Sequence, residues 1–182
     1  IIYRNKAKIN DDIYVSGNLG DSYLGLLALQ NKIKLNPSLK RWFINKYFMP
    51  HIQTKLVNHI KKFANTSIDI SDGLLTDLSK MINEQKLIFK IDLKKIPISS
   101  NLKKVIVQKN LSKINYISNG DDYQVLFTAS KSNSPLIRKI SSNYRIKLTK
   151  IGTILTSSEK SSIVDDKNMK IYLKNQGYFH QF

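Results

Sequence analysis

The sequence has no cysteine among its 182 residues, which excludes a disulfide framework and any thiolate metal site. It also lacks a long hydrophobic run. The longest purely apolar stretches, such as residues 26–29, are far shorter than the roughly 20 residues that a membrane-spanning helix needs. The amino end has no basic segment followed by an apolar one, so no signal peptide is predicted. From these absences we expect a cytoplasmic protein that does not enter a membrane.

Acidic residues are scarce. The chain has 13 of them against 30 lysines and arginines, which gives a net charge of +17. Such a charge is typical of surfaces that bind polyanions, or of proteins encoded by AT-rich genes. Lysine outnumbers arginine 26 to 4, the lysines are scattered, and no aromatic residues alternate with them as in a stacking platform. The pattern therefore favours compositional bias over nucleic-acid binding, although a basic nucleic-acid-binding module stays as a distant alternative. A positive field would still favour anionic ligands such as nucleotides.

The order of predicted elements indicates an α/β fold, with a mixed β-sheet flanked by helices, in a single domain over residues 1–182. Alternating β-branched and aromatic residues predict strands at residues 12–16, 67–70, 87–93, 123–128 and 147–154, and a closing hairpin of 163–164 with 171–173. Apolar residues at three- and four-residue steps predict helices at residues 21–32, 51–64, 72–83, 101–109 and 134–142. Asn36-Pro37 is interpreted as a break, followed by a loop that runs to Pro50.

One candidate ligand site is the segment Ser-Ile-Asp-Ile-Ser-Asp-Gly-Leu at residues 67–74. Strand alternation places Asp69 and Ser71 on one face, and Asp72 lies where the strand turns into a helix. Open α/β sheets bind ligands at such a point, and helix amino ends attract phosphate. Two carboxylates ~4 Å apart repel by about 4 kcal/mol at an effective dielectric of 20, and Mg²⁺ would relieve this repulsion. The alternative is that Ser71 or Asp72 only caps the helix while Asp69 ends an ordinary strand.

A second candidate is the segment Ser-Asn-Gly-Asp-Asp-Tyr at residues 118–123, in which Asp121 and Asp122 precede an apolar strand. Asn-Gly followed by Asp is also common turn chemistry, so this segment alone does not indicate a ligand. However, four of the 13 acidic residues fall in these two segments. That concentration in a basic chain favours a functional interpretation of both.

Five segments, in this order, resemble the C-terminal domain of the thiamine-monophosphate kinases. The matching segments are Arg4 with Ala7-Lys8 and the Ile-Tyr-Val-Ser-Gly strand at 13–17, Leu-Gly-Asp at 19–21 with Leu-Gly-Leu at 24–26, Ile-Asp-Ile-Ser-Asp-Gly-Leu at 68–74, residues 119–127, and the terminal Gly-Tyr-Phe-His-Gln-Phe at 177–182. The resemblance spans essentially the whole chain. Its most specific part is the combination of the 68–74 and 119–127 segments.

The resemblance implies a fold of the aminoimidazole ribonucleotide synthetase-like type and the Mg-ATP-dependent phosphorylation of thiamine monophosphate to thiamine diphosphate. In this group an N-terminal domain supplies much of the ATP and metal site and forms the homodimer. That domain is absent from these 182 residues, and the chain starts at Ile1 rather than Met, so we expect a piece that is inactive by itself. The alternative is another ATP-dependent enzyme of the superfamily, similar to aminoimidazole ribonucleotide or selenophosphate synthetase.

The resemblance also implies specific ligand contacts. They fall into magnesium ligands (Asp69 and Asp72), ATP contacts (Arg4 and Ser71) and contacts to thiamine monophosphate (Asp121 and Tyr178). The chain departs from the family pattern where Asn119 replaces a glycine, Gln124 replaces a common acid, and the terminal segment is altered. Asp121 is also one methylene shorter than the glutamate often found there.

Overall fold

The computed structural model of the chain describes residues 2–156, 160–165 and 169–171. The strands in these residues are β1 (Asp12–Ser16), β2 (Ala64–Asp69), β3 (Leu87–Asp92), β4 (Val125–Ala129), β5 (Leu148–Thr156), β6 (Ser162–Val164) and β7 (Lys170–Ile171). They form one sheet in the order β2-β4-β1-β5-β3-β6-β7. Neighbouring strands are antiparallel except β3 and β6, which are parallel, so the sheet is mixed as predicted.

Helices cover both faces of this sheet, as the predicted α/β layers require. The α-helices in the described residues are α1 (Asp21–Leu29), α2 (Pro37–Phe48), α3 (Thr54–Ile60), α4 (Leu74–Ile82), α5 (Ser100–Gln108), α6 (Ile114–Ile117) and α7 (Ser134–Tyr144). Short 3₁₀ turns lie at Leu93–Lys95 and Lys131–Asn133. Within this part of the chain, every helix is too short or too polar to cross a membrane.

The prediction for residues 36–50 was wrong, because Asn36-Pro37 begins a helix instead of breaking the chain. The Asn36 side chain accepts a hydrogen bond from the N–H of Leu39 at 2.8 Å, which makes Asn36 the N-cap of α2. Pro37 occupies the first helical position, where its missing N–H has no intrahelical acceptor to lose. The following helix, α3, is shorter than the predicted 51–64 at both ends, because residues 49–53 form the connection out of α2 and β2 already begins at Ala64.

Alternation along the central strands builds a separate core on each face of the sheet. Ile13 and Val15 of β1 are fully buried on the face that packs against α4 and α6. Tyr14, between them, stacks on Phe127 of β4 with ring centroids 5.2 Å apart, on the face covered by α3 and α7. Because β1 and β4 each pair with a strand on both sides, they hold the loops at their ends in fixed positions.

Candidate functional site

Two loops that are distant in sequence meet at one edge of the sheet. The 70–73 loop joins β2 to α4, and the 118–124 loop precedes β4. Three backbone hydrogen bonds connect them: Asp121 N–H to Ser71 O (3.0 Å), Tyr123 N–H to Ile70 O (2.9 Å) and Ile70 N–H to Gln124 O (2.9 Å). These bonds continue the β2–β4 pairing beyond the strands, so the two predicted motif segments form a single structural unit.

The close approach of the two loops depends on a glycine in each of them. A Cβ atom on Gly120 would lie 1.7 Å from the carbonyl oxygen of Ser71, and one on Gly73 would lie 2.2 Å from that of Ser118. Gly73 also has φ +119°, a conformation that residues with a side chain rarely adopt. Both glycines of the predicted motifs are therefore required by backbone packing between the loops.

A cleft of about 710 Å³ opens where the two loops meet α1 and α2. The motif loops contribute Ser71, Asp72, Asn119, Gly120, Asp121 and Tyr123 to its lining, and the helical side contributes Tyr23, Leu26, Gln30 and Tyr47. The wall formed by the motif loops is therefore polar and acidic apart from Tyr123, whereas the wall formed by the helices carries two tyrosines and a leucine beside Gln30. A ligand that carries both a ring system and a charged group matches such a lining.

Asp77, in the first turn of α4, organises the 70–73 loop, and the sequence analysis missed it. Its Oδ2 atom accepts hydrogen bonds from the N–H groups of Ser71, Asp72 and Gly73 at 2.9, 2.9 and 3.1 Å. The side chain is buried, and burial raises the pKa of Asp77 against the opposing effect of these hydrogen bonds. An acid in the first helical turn is the signal that could have identified it.

The position of Asp77 also changes how phosphate could bind at the start of α4. From the sequence, the N–H groups at this helix start are predicted to attract phosphate. Three N–H groups at that point are already satisfied by Asp77. A phosphate in the cleft would therefore compete with Asp77 for the N–H groups of residues 71–73.

Asp72 forms an ion pair with Lys80 on the outer side of the same loop. The Lys80 ammonium contacts Oδ2 of Asp72 and lies 3.7 Å from Oδ1 of Asp77. The Lys80 side chain is 44% exposed, whereas that of Asp72 is 19% exposed. The pair raises the pKa of Lys80, and the main cause is the hydrogen bond that Lys80 donates to the Asp72 carboxylate.

Asp121 and Tyr123 are held in backbone conformations that are rare for non-glycine residues. Their φ angles are +67° and +49°, and the hydrogen bonds to the 70–73 loop keep both residues in place. Burial and the negative charge of Asp72 raise the pKa of Asp121. The Asp121 carboxyl thus faces the same cleft as Asp72 and is close enough to be affected by its charge.

The other predicted site residues are less central to the cleft. Asp69 is exposed at the end of β2 and is not among the residues that line the cleft. Its charge nevertheless adds to burial and to Asp121 in raising the pKa of the Tyr123 hydroxyl, so it lies near the rim. Arg4 is exposed in an irregular segment before β1 and is also outside the lining. Tyr178 lies outside the described residues.

Asp122 has a structural position although it neighbours Asp121. Its carboxylate accepts hydrogen bonds from the N–H groups of Gly20 at 2.7 Å and Ser22 at 3.4 Å, at the start of α1. Burial raises its pKa to about 8, and the nearby charge of Asp21 acts in the same direction. The pKa of Asp21 itself is raised to about 6 by burial. Of the paired acids, only Asp121 faces the cleft.

The raised pKa of Asp122 predicts that the protein loses stability as the pH rises. Between about pH 4, where the unfolded carboxyl titrates, and pH 8, the folded state keeps a proton that the unfolded state releases. The free energy of unfolding should therefore fall by on the order of 3 kcal/mol between pH 5.5 and 8.5. Urea denaturation at several pH values measures this, and Asp122→Asn should flatten the profile. A profile that the substitution leaves unchanged would assign the pH dependence to other groups.

The donor set of the cleft fits a hard divalent cation. Carboxylate and hydroxyl oxygens are the ligands Mg²⁺ prefers, and the mutual repulsion of Asp72 and Asp121 is what a cation would relieve. Within the described residues, no three histidine, cysteine, aspartate or glutamate side chains form a group that could hold a metal. A magnesium ion here would therefore need further ligands from outside the described residues, such as phosphate oxygens and water, which it commonly keeps in phosphate-binding sites.

The chain resembles known proteins in both sequence and fold. No protein-family model matches it. It is 35% identical to the thiamine-monophosphate kinase of Buchnera aphidicola subsp. Acyrthosiphon pisum over 181 residues, which are 98% of this chain and 55% of that protein. The chain therefore spans about half the length of this curated relative.

Two solved structures resemble the described fold closely. A thiamine-monophosphate kinase from Stenotrophomonas maltophilia K279a has a TM-score of 0.78 and 25% identity, over 91% of this chain and 52% of that one. A structure of AaThiL complexed with AMPPCP and TMP has a TM-score of 0.77 and 30% identity, over 98% of this chain and 54% of that one. These likenesses confirm the predicted α/β fold class and the predicted family resemblance.

Proposed function

Because thiamine-monophosphate kinases are homologues of this chain over 98% of its length, we propose that the protein carrying it phosphorylates thiamine monophosphate with ATP. The observation that carries the proposal is the cleft in which the two motif segments meet, in a fold similar to that of AaThiL complexed with AMPPCP and TMP. Since the chain spans about half of its relatives' length, the activity is proposed for the whole protein.

The proposed reaction is direct transfer of the γ-phosphoryl group. An oxygen of the thiamine monophosphate phosphate attacks the γ-phosphorus of ATP, the bond from the γ-phosphorus to the bridging oxygen breaks, and thiamine diphosphate and ADP result. Such a transfer depends on positioning and on charge neutralisation, and it needs no side-chain nucleophile. The cleft provides a fixed polar wall for this task, because three backbone hydrogen bonds hold its two loops together.

The proposed ligand contacts follow the family resemblance and the lining of the cleft. Asp72, together with Asp69 at the rim, would hold Mg²⁺, which when bound supplies positive charge against the transferring phosphates. Ser71 would orient an ATP phosphate with its hydroxyl. Asp121 would contact thiamine monophosphate on the polar wall. Tyr23 and Tyr47, on the opposite wall, would pack against its rings.

Two further contacts lie beyond the cleft lining. We propose that Arg4 contacts ATP from the segment before β1 and that Tyr178 covers the thiamine rings. The half of the relatives' length that this chain does not match would supply the remainder of the ATP and metal site. The same half would form a homodimer, and on this proposal residues 1–182 alone are inactive. The net charge of +17 and the biosynthetic reaction are consistent with a cytoplasmic, nucleotide-binding enzyme.

The test is a product assay on the full-length protein with ATP, Mg²⁺ and thiamine monophosphate. We expect thiamine diphosphate, separated by chromatography, only when all three are present, and none from residues 1–182 alone. A folded, ATP-binding protein that makes no thiamine diphosphate would instead indicate another ATP-dependent enzyme of the superfamily. Assays with aminoimidazole ribonucleotide precursors and with selenide would then distinguish an aminoimidazole ribonucleotide synthetase from a selenophosphate synthetase. Salt-sensitive binding to arbitrary duplex DNA without a response to ATP would indicate the nucleic-acid-binding alternative.

A further inference from the structure

We propose that Lys80 is an internal counter-ion that holds the Asp72 carboxylate when magnesium is absent and sets the affinity with which magnesium replaces it. The inference deepens the proposed function and rests on the assignment of Asp72 as a magnesium ligand. Its basis is that a single ammonium group contacts the carboxylate of a cleft-lining residue and also faces the acid that organises its loop.

Lys80 occupies an oxygen that a cation would need. Its Nζ atom contacts Oδ2 of Asp72, and Oδ2 of Asp77 is already committed to three N–H groups. The oxygen of Asp77 that remains, Oδ1, faces the same ammonium at 3.7 Å. A divalent cation at Asp72 must therefore displace the ammonium or bind beside it against charge repulsion.

The ammonium lies near the start of α4 because two acids attract it there. Asp72 precedes α4, so Lys80, which belongs to the second half of the helix, directs its side chain back toward the helix N-terminus. The partial positive charge of a helix N-terminus disfavours a cation there. The two acids must outweigh this effect, and once magnesium neutralises Asp72, the main partner of Lys80 is lost.

The exchange of Lys80 for magnesium requires no rearrangement of the fold. The Lys80 side chain is 44% exposed and can move into solvent, whereas Asp72 is fixed by the hydrogen bond from its own N–H to Asp77. Asp77 keeps the loop in shape whether or not Lys80 is present. Lys80 therefore acts on the charge of the cleft and not on its geometry.

The test is magnesium binding to the full-length protein, without ATP or thiamine monophosphate, by isothermal titration calorimetry at low salt. Lys80→Met should lower the dissociation constant for Mg²⁺ by about three- to ten-fold, because a competing charge close to the ion is removed. Lys80→Gln should do the same, and Lys80→Arg, which keeps the charge, should leave the constant near the wild-type value. The difference should shrink at 0.5 M salt, because the charges are then screened.

Two controls separate this inference from the proposed function. Lys86→Met removes an exposed lysine from the turn after α4 and tests for a general effect of net charge. Asp72→Asn should weaken Mg²⁺ binding and abolish the effect of Lys80→Met in the double variant. If Asp72→Asn weakens binding but Lys80→Met leaves it unchanged, the role of Lys80 is wrong while the metal assignment stands. If Asp72→Asn changes nothing, the metal assignment and the role of Lys80 are both wrong.

Discussion

Asp72→Asn in the full-length protein should reduce thiamine diphosphate formation by at least about 100-fold, the size of effect seen when a single group that stabilises transition-state charge is removed. The amide replaces a cleft-lining carboxylate and cannot supply the negative charge that magnesium needs. The fold should survive, because the lost ion pair with the exposed Lys80 contributes only about 0–1 kcal/mol to stability. Initial rates measured over a range of Mg²⁺ concentrations check the prediction, since the half-saturating concentration should rise together with the fall in rate.

Glu84→Gln is the matched control for this substitution. Glu84 is an exposed acid just beyond the end of α4, so its neutralisation changes the net charge equally without altering the cleft. We expect wild-type rates and wild-type magnesium dependence from this variant. Asp72→Asn with an unchanged magnesium dependence would remove Asp72 from the metal site.

Gly120→Ala should destabilise the protein by roughly 2–4 kcal/mol and abolish most of its activity, because the added methyl group has no room. Its carbon would lie 1.7 Å from the Ser71 carbonyl oxygen, which is backbone and cannot rotate away. The loops would have to separate, and the hydrogen bond from Asp121 N–H to Ser71 O would break. Chemical denaturation measures the loss of stability, and the product assay measures the loss of activity.

The neighbouring substitution Asn119→Ala provides the comparison. The Asn119 side chain is partly exposed and donates one hydrogen bond to the carbonyl oxygen of Asn115 at 2.7 Å. Its removal should cost about 1 kcal/mol and leave the loops in contact. If Gly120→Ala were as stable as Asn119→Ala, close packing between the loops would not be what holds the cleft together.

Most of the fold could be predicted from the sequence because the strands carry clear local signals. The alternating β-branched and aromatic residues predicted β1 with the same bounds that the structure has. The closing hairpin of β6 and β7 was also predicted. Residues 36–50 could not be assigned in the same way, because a proline read as a breaker is equally suitable for a first helical turn. The outcome there depends on the Asn36 cap and on the burial of Phe43 against α1, and the second of these is a tertiary effect.

The candidate site was predicted in parts, and its assembly was not. The two motif segments were chosen for their acids and glycines, yet nothing local indicates that Asp121 N–H bonds to Ser71 O, 50 residues earlier in the chain. The division between Asp121, which faces the cleft, and Asp122, which caps α1, is likewise set by the fold. Lys80 was missed because it meets Asp72 only in the folded helix and loop, whereas Asp77 carries a local signal, an acid in the first helical turn.

β2 lies at one end of the strand order in the described sheet, so the cleft depends on an edge strand. Among the strands of residues 2–156, 160–165 and 169–171, β2 pairs only with β4, whereas β4 and β1 are each paired on both sides. Edge strands open at a lower free energy than interior strands, and such openings need not involve the remainder of a domain. The 70–73 loop continues directly from β2. If this strand separated from β4, the loop would move away from the 118–124 loop and the cleft would open, while the other strands could stay paired. A ligand that bridges the two loops would therefore protect the edge strand and would bind only the fraction of molecules in which that strand is closed.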